Sequence, residues 1–281
     1  MKNKSVLVTG SSTGIGKAIA LHLDQKGYKV YAGVRNEKDA ELLKSESSDL
    51  LTPIMLDVTD EKSIKEVFDT INNDSNSNFY GIVNNAGIGI SGVLEATPIS
   101  DVRNVMEVNV IGLLSVTKTF IPLLKEAKGR IINIGSTSGY LTFPGGSVYA
   151  GSKFAVRAIT DALRLELKHL GISVSLISPG AVESEIWNKS KSYKEKIRKS
   201  VNPQVFEDYK TLINFGESIL KEVKPIPAIE VAKTVADALE SPKPKRYYYV
   251  GSDCKAAVKF AKLPHSLMDS LILKKIQKFG K

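Results

Sequence analysis

Ser136, Tyr149 and Lys153 are the residues of this 281-residue chain whose types and spacing could do chemistry together. They lie in Ile131-Ile132-Asn133-Ile134-Gly135-Ser136 and, thirteen residues on, in Tyr149-Ala150-Gly151-Ser152-Lys153. Periodicity predicts a helix over Tyr149–Leu170, so Tyr149 and Lys153 stand at i and i+4 on one face. An ammonium beside a phenol favours the phenolate and lowers its pKa from about 10 toward neutrality. Ser136, at the end of a predicted strand, can donate to an oxygen on which negative charge develops. The chemistry this trio suits is proton exchange with a substrate oxygen. A Tyr-x3-Lys pair by itself would read as an ordinary helical surface pair; the strand-end serine at this interval, with a glycine loop upstream, tips the balance.

A second constellation lies far upstream. The first apolar run leads into Thr9-Gly10-Ser11-Ser12-Thr13-Gly14-Ile15-Gly16, and a helical pattern follows. Gly10 allows a tight turn, Gly14 lets backbone approach a pyrophosphate, and Gly16 permits close helix–strand packing. The helix N-terminus offers unpaired N–H groups and a favourable dipole to the anion. A dinucleotide is the ligand such a turn serves. Sites for NAD place an acidic residue at the end of the second strand, on the ribose 2′-OH. Here that stretch reads Tyr31-Ala32-Gly33-Val34-Arg35, with no carboxylate until Glu37. The Arg35 guanidinium suits a 2′-phosphate instead, so NADP(H) is expected in preference to NAD(H).

With both constellations in view, the chain resembles the short-chain dehydrogenase/reductase family over about residues 5–185. The resemblance implies hydride exchange between a nicotinamide and a carbonyl or alcohol, without a metal. It implies general acid/base work for Tyr149 and orientation of the substrate carbonyl by Ser136. Lys153 would bind the nicotinamide ribose and tune the tyrosine. Asn109, in Val108-Asn109-Val110, resembles the asparagine whose helix distortion holds a proton-relay water. Asn84-Asn85-Ala86-Gly87 is similar to the turn beside the adenine ribose, and Asp57-Val58 to the pair that contacts the adenine. Pro179-Gly180-Ala181-Val182-Glu183-Ser184 resembles the segment that binds the carboxamide, with Ser184 where the family has threonine.

The elements that must position these residues follow from periodicity. Strands are predicted at Ser5–Thr9, Lys29–Gly33, Leu51–Leu56, Gly81–Asn84, Gly129–Ile134, Ser173–Ile177 and Tyr247–Val250. Helices are predicted at Ile15–Lys26, Ser63–Asn73, Val102–Ala127 and Tyr149–Leu170. Such alternation argues for an α/β fold: one Rossmann-like domain, a doubly wound parallel sheet with helices on both faces. Residues 183–225 break the rhythm and are expected to form a substrate lid. Residues 251–281 form a tail.

Composition narrows the function class. The chain is 42% hydrophobic and 25% charged, as ordinary globular proteins are, with one cysteine, Cys254, and three scattered histidines. That fits a reducing compartment without a disulfide framework and gives no metal-ligand cluster. The N-terminus shows no signal-peptide pattern and no run approaches about 18 apolar residues, so a cytoplasmic location is expected. The net charge of +9 is concentrated in Lys189–Lys199 and Lys243–Lys281. Without a nucleic-acid module this favours anionic cofactors, carriers or membrane surfaces over nucleic acid.

Trp187, Tyr193, Phe206, Tyr209 and Phe215 supply apolar surface for a hydrophobic substrate, although each could equally pack the lid onto the body. Lys245-Arg246-Tyr247-Tyr248-Tyr249-Val250-Gly251 and the later Leu263-Pro264 and Leu267-Met268-Asp269 resemble the hydroxysteroid and retinol dehydrogenase-like members. A steroid-, retinoid- or lipid-like substrate is therefore expected. The alternatives are a 3-ketoacyl-carrier-protein reductase and a non-catalytic NADP-binding sensor. Leu267, Met268, Leu271, Ile272, Ile276 and Phe279 form one broad helical face near Lys274, Lys275 and Lys278. Pocket cover or a subunit contact is favoured for that face over a peripheral contact with an anionic membrane. Apolar surplus on the two long helices leads us to expect a homo-oligomer.

Overall fold

The computed structural model describes residues 4–76, 78–183, 193, 195, 197, 201–222 and 224–279. Seven strands rich in Val and Ile form the sheet: β1 Lys4–Val8, β2 Lys29–Val34, β3 Leu51–Met55, β4 Asn78–Asn84, β5 Arg130–Ile134, β6 Ser173–Pro179 and β7 Tyr247–Val250. Their order is β3-β2-β1-β4-β5-β6-β7, every pair parallel. The chain winds outward from β1 to β3, then crosses back to β4 on the other side of β1. That reversal leaves a crevice beyond the carboxyl ends of β1 and β4, where ligands bind in sheets of this kind.

Both sheet faces are covered. On one face α1 (Gly14–Gln25) and the helix Ala228–Glu240 bury Ile19, Leu23, Val231, Val235 and Leu239 against each other and the sheet, α1 over β1 and β2 and the second helix over β5 and β6. On the other, α3 (Glu61–Asn72) and α5 (Gly112–Ala127) bury Ile64, Val67, Val116, Phe120 and Leu124. Each fully buried aliphatic or aromatic side chain contributes about 1.5–3 kcal/mol, so these two layers dominate the fold's stability. Helix Ala228–Glu240 was not among the predicted elements, although its one-sided Val231, Ala232, Val235, Ala236, Leu239 pattern is plain in the sequence. The helix Ser252–Phe260 also goes beyond the predicted elements.

The long helix predicted at Val102–Ala127 starts earlier, at Ile99, and is interrupted. Ile99–Met106 (α4) and α5 are joined by a π-turn over Glu107–Ile111. Taken whole, Ile99–Ala127 is long and apolar enough to cross a membrane, contrary to the expectation that no run reaches that length. Half of its apolar window is buried against the sheet, which is reason enough for its composition. Gly112 lets this helix approach the loop after β3: a Cβ there would stand 2.9 Å from the Val58 carbonyl oxygen.

Within 183–225 the described residues include two helices, Pro203–Asp208 and Lys210–Glu222, that the weak periodicity did not mark. The tail ends in the helix His265–Gln277. Its supposed single apolar face is split. Met268 and Ile276 point inward and are buried, and Phe279 stacks 5.9 Å from the buried Phe215 ring. Leu263, Leu267, Leu271 and Leu273 are turned outward and exposed.

Candidate active site

One cleft of about 940 Å³ runs across the carboxyl edge of the sheet. Its walls include Gly10, Ser12, Thr13, Gly14, Ile15 and Gly16 at one end. Arg35, Asp57 and Val58, just past β2 and β3, line that same end, and Ala86 and Gly87, just past β4, line its middle. Ser136, Tyr149, Lys153, Pro179, Gly180 and Val182 line the other end. Residues scattered over some 170 positions of sequence thus share one cavity, because each sits just past a strand end or in the first turns of a helix.

The glycine loop is built as the sequence suggests. Gly10 and Gly14 hold φ of +66° and +55°, in the left-handed region where a side chain would be strained. A Cβ on Gly16 would lie 2.1 Å from the Gly10 carbonyl oxygen, so α1 reaches the strand end only because Gly16 has no side chain. The loop is stapled to the turn after β4. Asn85 Nδ2 donates to the carbonyls of Thr9 and Gly10 at 2.9 and 3.0 Å, and Thr9 Oγ1 accepts from the Asn85 and Ala86 N–H groups. This shape, with α1's N-terminus aimed into the cleft, fits a pyrophosphate.

Asn84 does not belong to the cleft wall, which corrects the cofactor-contact expectation for it. Being the last residue of β4, it points the opposite way from Asn85, and it is 4% exposed. Its amide donates to Thr117 Oγ1 and Asn133 Oδ1, both at 2.9 Å, inside the core. Asn109 is likewise behind the wall and 1% exposed. Its Oδ1 accepts from the Ile88 N–H at 2.8 Å, and its Nδ2 donates to the Ile88 carbonyl and to Ser152 Oγ at 2.9 and 3.0 Å. The side-chain amide is therefore committed to protein partners. The helix distortion implied at Asn109 is present as the π-turn, a form that leaves backbone groups without their usual helical partners. Ser184 and Trp187 lie outside the described residues.

At the reacting end, the Ser136 hydroxyl stands beside the Tyr149 phenol, near enough to draw its pKa downward. Ser136 Oγ also accepts from the Ser138 N–H at 3.1 Å, which fixes its rotamer at the strand end. Lys153 is buried; its Nζ donates to the Ile134 carbonyl at 2.9 Å and stands 5.8 Å from the Tyr149 ring centre. Electrostatics here depart from the sequence expectation. Burial raises the Tyr149 phenol above its ordinary range, with the Ser136 hydrogen bond pulling more weakly downward. Burial also pushes the Lys153 ammonium down to about 8. The desolvation cost of charge in this pocket outweighs the attraction between the two side chains that spacing alone suggests.

At the far end Arg35 is exposed, one residue beyond β2. Asp57 lies near enough for its carboxylate to be lowered by two hydrogen bonds from Thr59 and by the Arg35 charge, against an opposing burial effect. Asn36 caps the following helix, α2 (Glu37–Ser45), by accepting from the Asp39 N–H, and no carboxylate stands between β2 and that helix.

Several wall residues were not foreseen: Ile88 to Val93 after β4, Leu141 to Gly146 between β5 and α6 (Ser147–Glu166), and Leu212, Ile213 and Ile219 of the helix Lys210–Glu222. They carry no motif, only apolar character, and loop geometry alone brings them to the cleft. Of the described aromatics within 183–225, Tyr193 and Phe206 line the cleft. Tyr209 packs with Val93 and Ala96, and Phe215 is 2% exposed between Phe143 and Phe279, so these two are packing residues. Cys254 is buried with its thiol donating to the Ser178 carbonyl, an inert setting.

The comparisons with known proteins agree with this geometry. The short chain dehydrogenase family model matches residues 4–195. The chain is 34% identical over 283 residues to dehydrogenase/reductase SDR family member 9 of Bos taurus, covering 97% of this chain and 88% of that one. It is 32% identical over 282 residues to retinol dehydrogenase 7 of Mus musculus, with the same coverages. The closed form of a serine dehydrogenase complexed with NADP+ superposes with a TM-score of 0.74 at 28% identity, covering 88% of this chain and 94% of that chain. With the crevice, the glycine turn and the Ser–Tyr–Lys end in one cavity, the chain belongs to the short-chain dehydrogenase family and is an oxidoreductase of the kind that acts on alcohols and ketones.

Proposed function

We propose that this enzyme is an NADP(H)-dependent reductase or dehydrogenase for a hydrophobic carbonyl or alcohol, steroid-, retinoid- or lipid-like. The observation that carries the reading is the convergence of Ser136, Tyr149 and Lys153 at one end of a cleft whose other end presents Arg35. NADP(H), when bound, supplies the hydride. The protein's own residues manage the oxygen. Ser136 donates to it, and Tyr149 gives up its proton as charge develops there. Lys153 places a cation at the cofactor ribose and the phenol. Asn109 holds the Ile88 wall to Ser152, one residue before Lys153 on α6. The lid helices and the loop Leu141–Gly146 supply the apolar surface, in keeping with the retinol dehydrogenase relative. A screen of ketones and aldehydes for NADPH oxidation tests this, and no turnover with any apolar carbonyl would refute it.

Arg35 decides the cofactor in this reading. Hydrogen bonds to charged groups are worth about 1.5–3 kcal/mol, so Arg35→Ala should raise the KM for NADPH roughly 10- to 100-fold and leave NADH nearly unchanged. Equal efficiency of the parent enzyme with NADH and NADPH would overturn the preference.

The C-terminal helix covers the apolar end of the lid in this proposal, through Met268, Ile276 and the Phe279–Phe215 contact. Its outward Leu263, Leu267, Leu271 and Leu273, beside Lys274, Lys275 and Lys278, suit a secondary peripheral contact with anionic lipid. Flotation with phosphatidylserine vesicles should fall when Leu267 and Leu271 are changed to Gln. Unchanged flotation would remove the lipid contact and leave the cover.

A further inference from the structure

The end of β6 runs on as a strap, Pro179–Glu183, along the reacting end of the cleft. Thr137 Oγ1, next to Ser136, donates to the Pro179 carbonyl at 3.2 Å, so the strap and the strand-end serine share one wall. The Gly180 N–H donates to the Val250 carbonyl at the end of β7 at 2.9 Å. On its outer side the strap pairs with Ile226, whose N–H donates to the Ala181 carbonyl at 3.0 Å, and the Glu183 N–H donates back to the Ile226 carbonyl. The Ala181 N–H is met by a side chain. Asp253, in the first turn of helix Ser252–Phe260, accepts it through Oδ2 at 2.8 Å.

The surroundings are cut to admit that carboxylate. A Cβ on Gly180 would lie 2.0 Å from Asp253 Oδ1, and one on Gly251 would lie 2.5 Å from the same atom. Gly251 also holds a φ of +96°, which turns the chain sharply from β7 into the helix. Oδ1 accepts from the Cys254 N–H at 2.8 Å, and so the carboxylate is held by the helix start while it holds the strap. Cys254 Sγ donates to the Ser178 carbonyl at 3.1 Å and adds a second tie from the same turn. No motif at Asp253 announced any of this.

We propose that Asp253 is a positioning residue for hydride transfer: its carboxylate fixes the strap that bears on the nicotinamide, through the Ala181 N–H, in a space kept open by Gly180 and Gly251. It touches the reaction only through Ala181. Losing the acceptor would strand that N–H and free the strap to shift. The alignment of the nicotinamide beside Ser136 and Tyr149 would degrade, while the adenosine end, built on β1 to β3, stayed as it is.

This rests on the cleft holding NADP(H) as proposed above, and the experiment separates the two ideas. Calorimetric titration of the whole chain is made with NADP+ and with 2′-phospho-ADP-ribose, which has everything but the nicotinamide. For Asp253→Ala the affinity for NADP+ is expected to fall about tenfold, the worth of one charge-assisted hydrogen bond, and that for the fragment to stay within about twofold. Asp253→Asn keeps one acceptor oxygen and should fall between the parent and Ala, which also serves if Ala folds poorly. Equal losses for both ligands, or none for either, would overturn the positioning role while the cofactor reading stood. A parent chain that bound neither ligand would overturn both.

Discussion

Tyr149→Phe is expected to bind NADPH within about twofold of the parent and to lose on the order of 10²- to 10⁴-fold in kcat, the range that a positioned acid or base contributes. The substitution removes one oxygen from a half-buried ring whose packing is otherwise kept. Ser136 keeps its hydrogen bond from the Ser138 N–H, so the strand end should hold its shape. The fall should therefore appear in kcat with little change in the KM for NADPH. Stopped-flow fluorescence of NADPH binding, beside steady-state turnover of a ketone found in the screen, measures both. Normal turnover in the Phe variant would refute the proton role even with the fold and cofactor site intact.

Lys153→Met should abolish most activity and make the protein more stable. The ammonium is pushed from 10.5 down to about 8 by burial, which means that the fold resists its charge. Such a shift corresponds to about 3 kcal/mol of cost at neutral pH, less about 1 kcal/mol for the hydrogen bond to the Ile134 carbonyl that Met cannot make. The sign is that of a depressed base. Between about 8 and 10.5 the unfolded chain binds the proton that the folded chain has released, so stability from this group rises with pH across that window. Below about 8 both states are charged and the cost is carried in full. A net gain of about 2 kcal/mol would lift Tm by roughly 4–8 °C at pH 7. The gap should narrow by pH 10, where the parent's lysine is already neutral. Reductase activity should move the opposite way, declining as pH rises through about 8, because Tyr149 is pushed upward and Lys153 is the first of the pair to titrate. A parent and a Met variant with equal Tm throughout would refute the buried-charge argument.

The reach of the sequence differs from residue to residue. Gly10, Gly14 and Gly16 were legible because backbone geometry at a tight turn leaves few residue types acceptable, and the structure places each in a position where a Cβ is strained or blocked. Asn84 and Asn85 could not be told apart in the same way. The alternation of a strand sends one to Thr117 and Asn133 in the core and the other to the glycine loop, and the register that decides it belongs to the sheet. The tail's apolar residues likewise read as one face until Met268 and Ile276 were seen to pack inward and Leu267 and Leu271 to face out. A run apolar nearly all round has no direction until it has a neighbour.

The protonation of the reacting pair was the larger divergence. Spacing puts an ammonium one turn from a phenol and suggests a lowered phenol. The tertiary structure buries the ammonium and half-buries the phenol, sends the ammonium to the Ile134 carbonyl, and lets desolvation set the direction. Burial is a property of everything packed around a site, which no local spacing encodes.

The sequence by itself determined the alternating elements, the glycine turn, the Ser136–Tyr149–Lys153 trio and hence the class of reaction. All of these depend on periodicity or on short-range backbone chemistry, which a single chain displays directly. Only the tertiary structure decided which asparagine faces the cleft, how charge behaves at Tyr149 and Lys153, and that Asp253 secures the strap across from them. Those outcomes arise from contacts between residues far apart in the chain, and their signs depend on how closely the folded structure brings them together and how much water it leaves there.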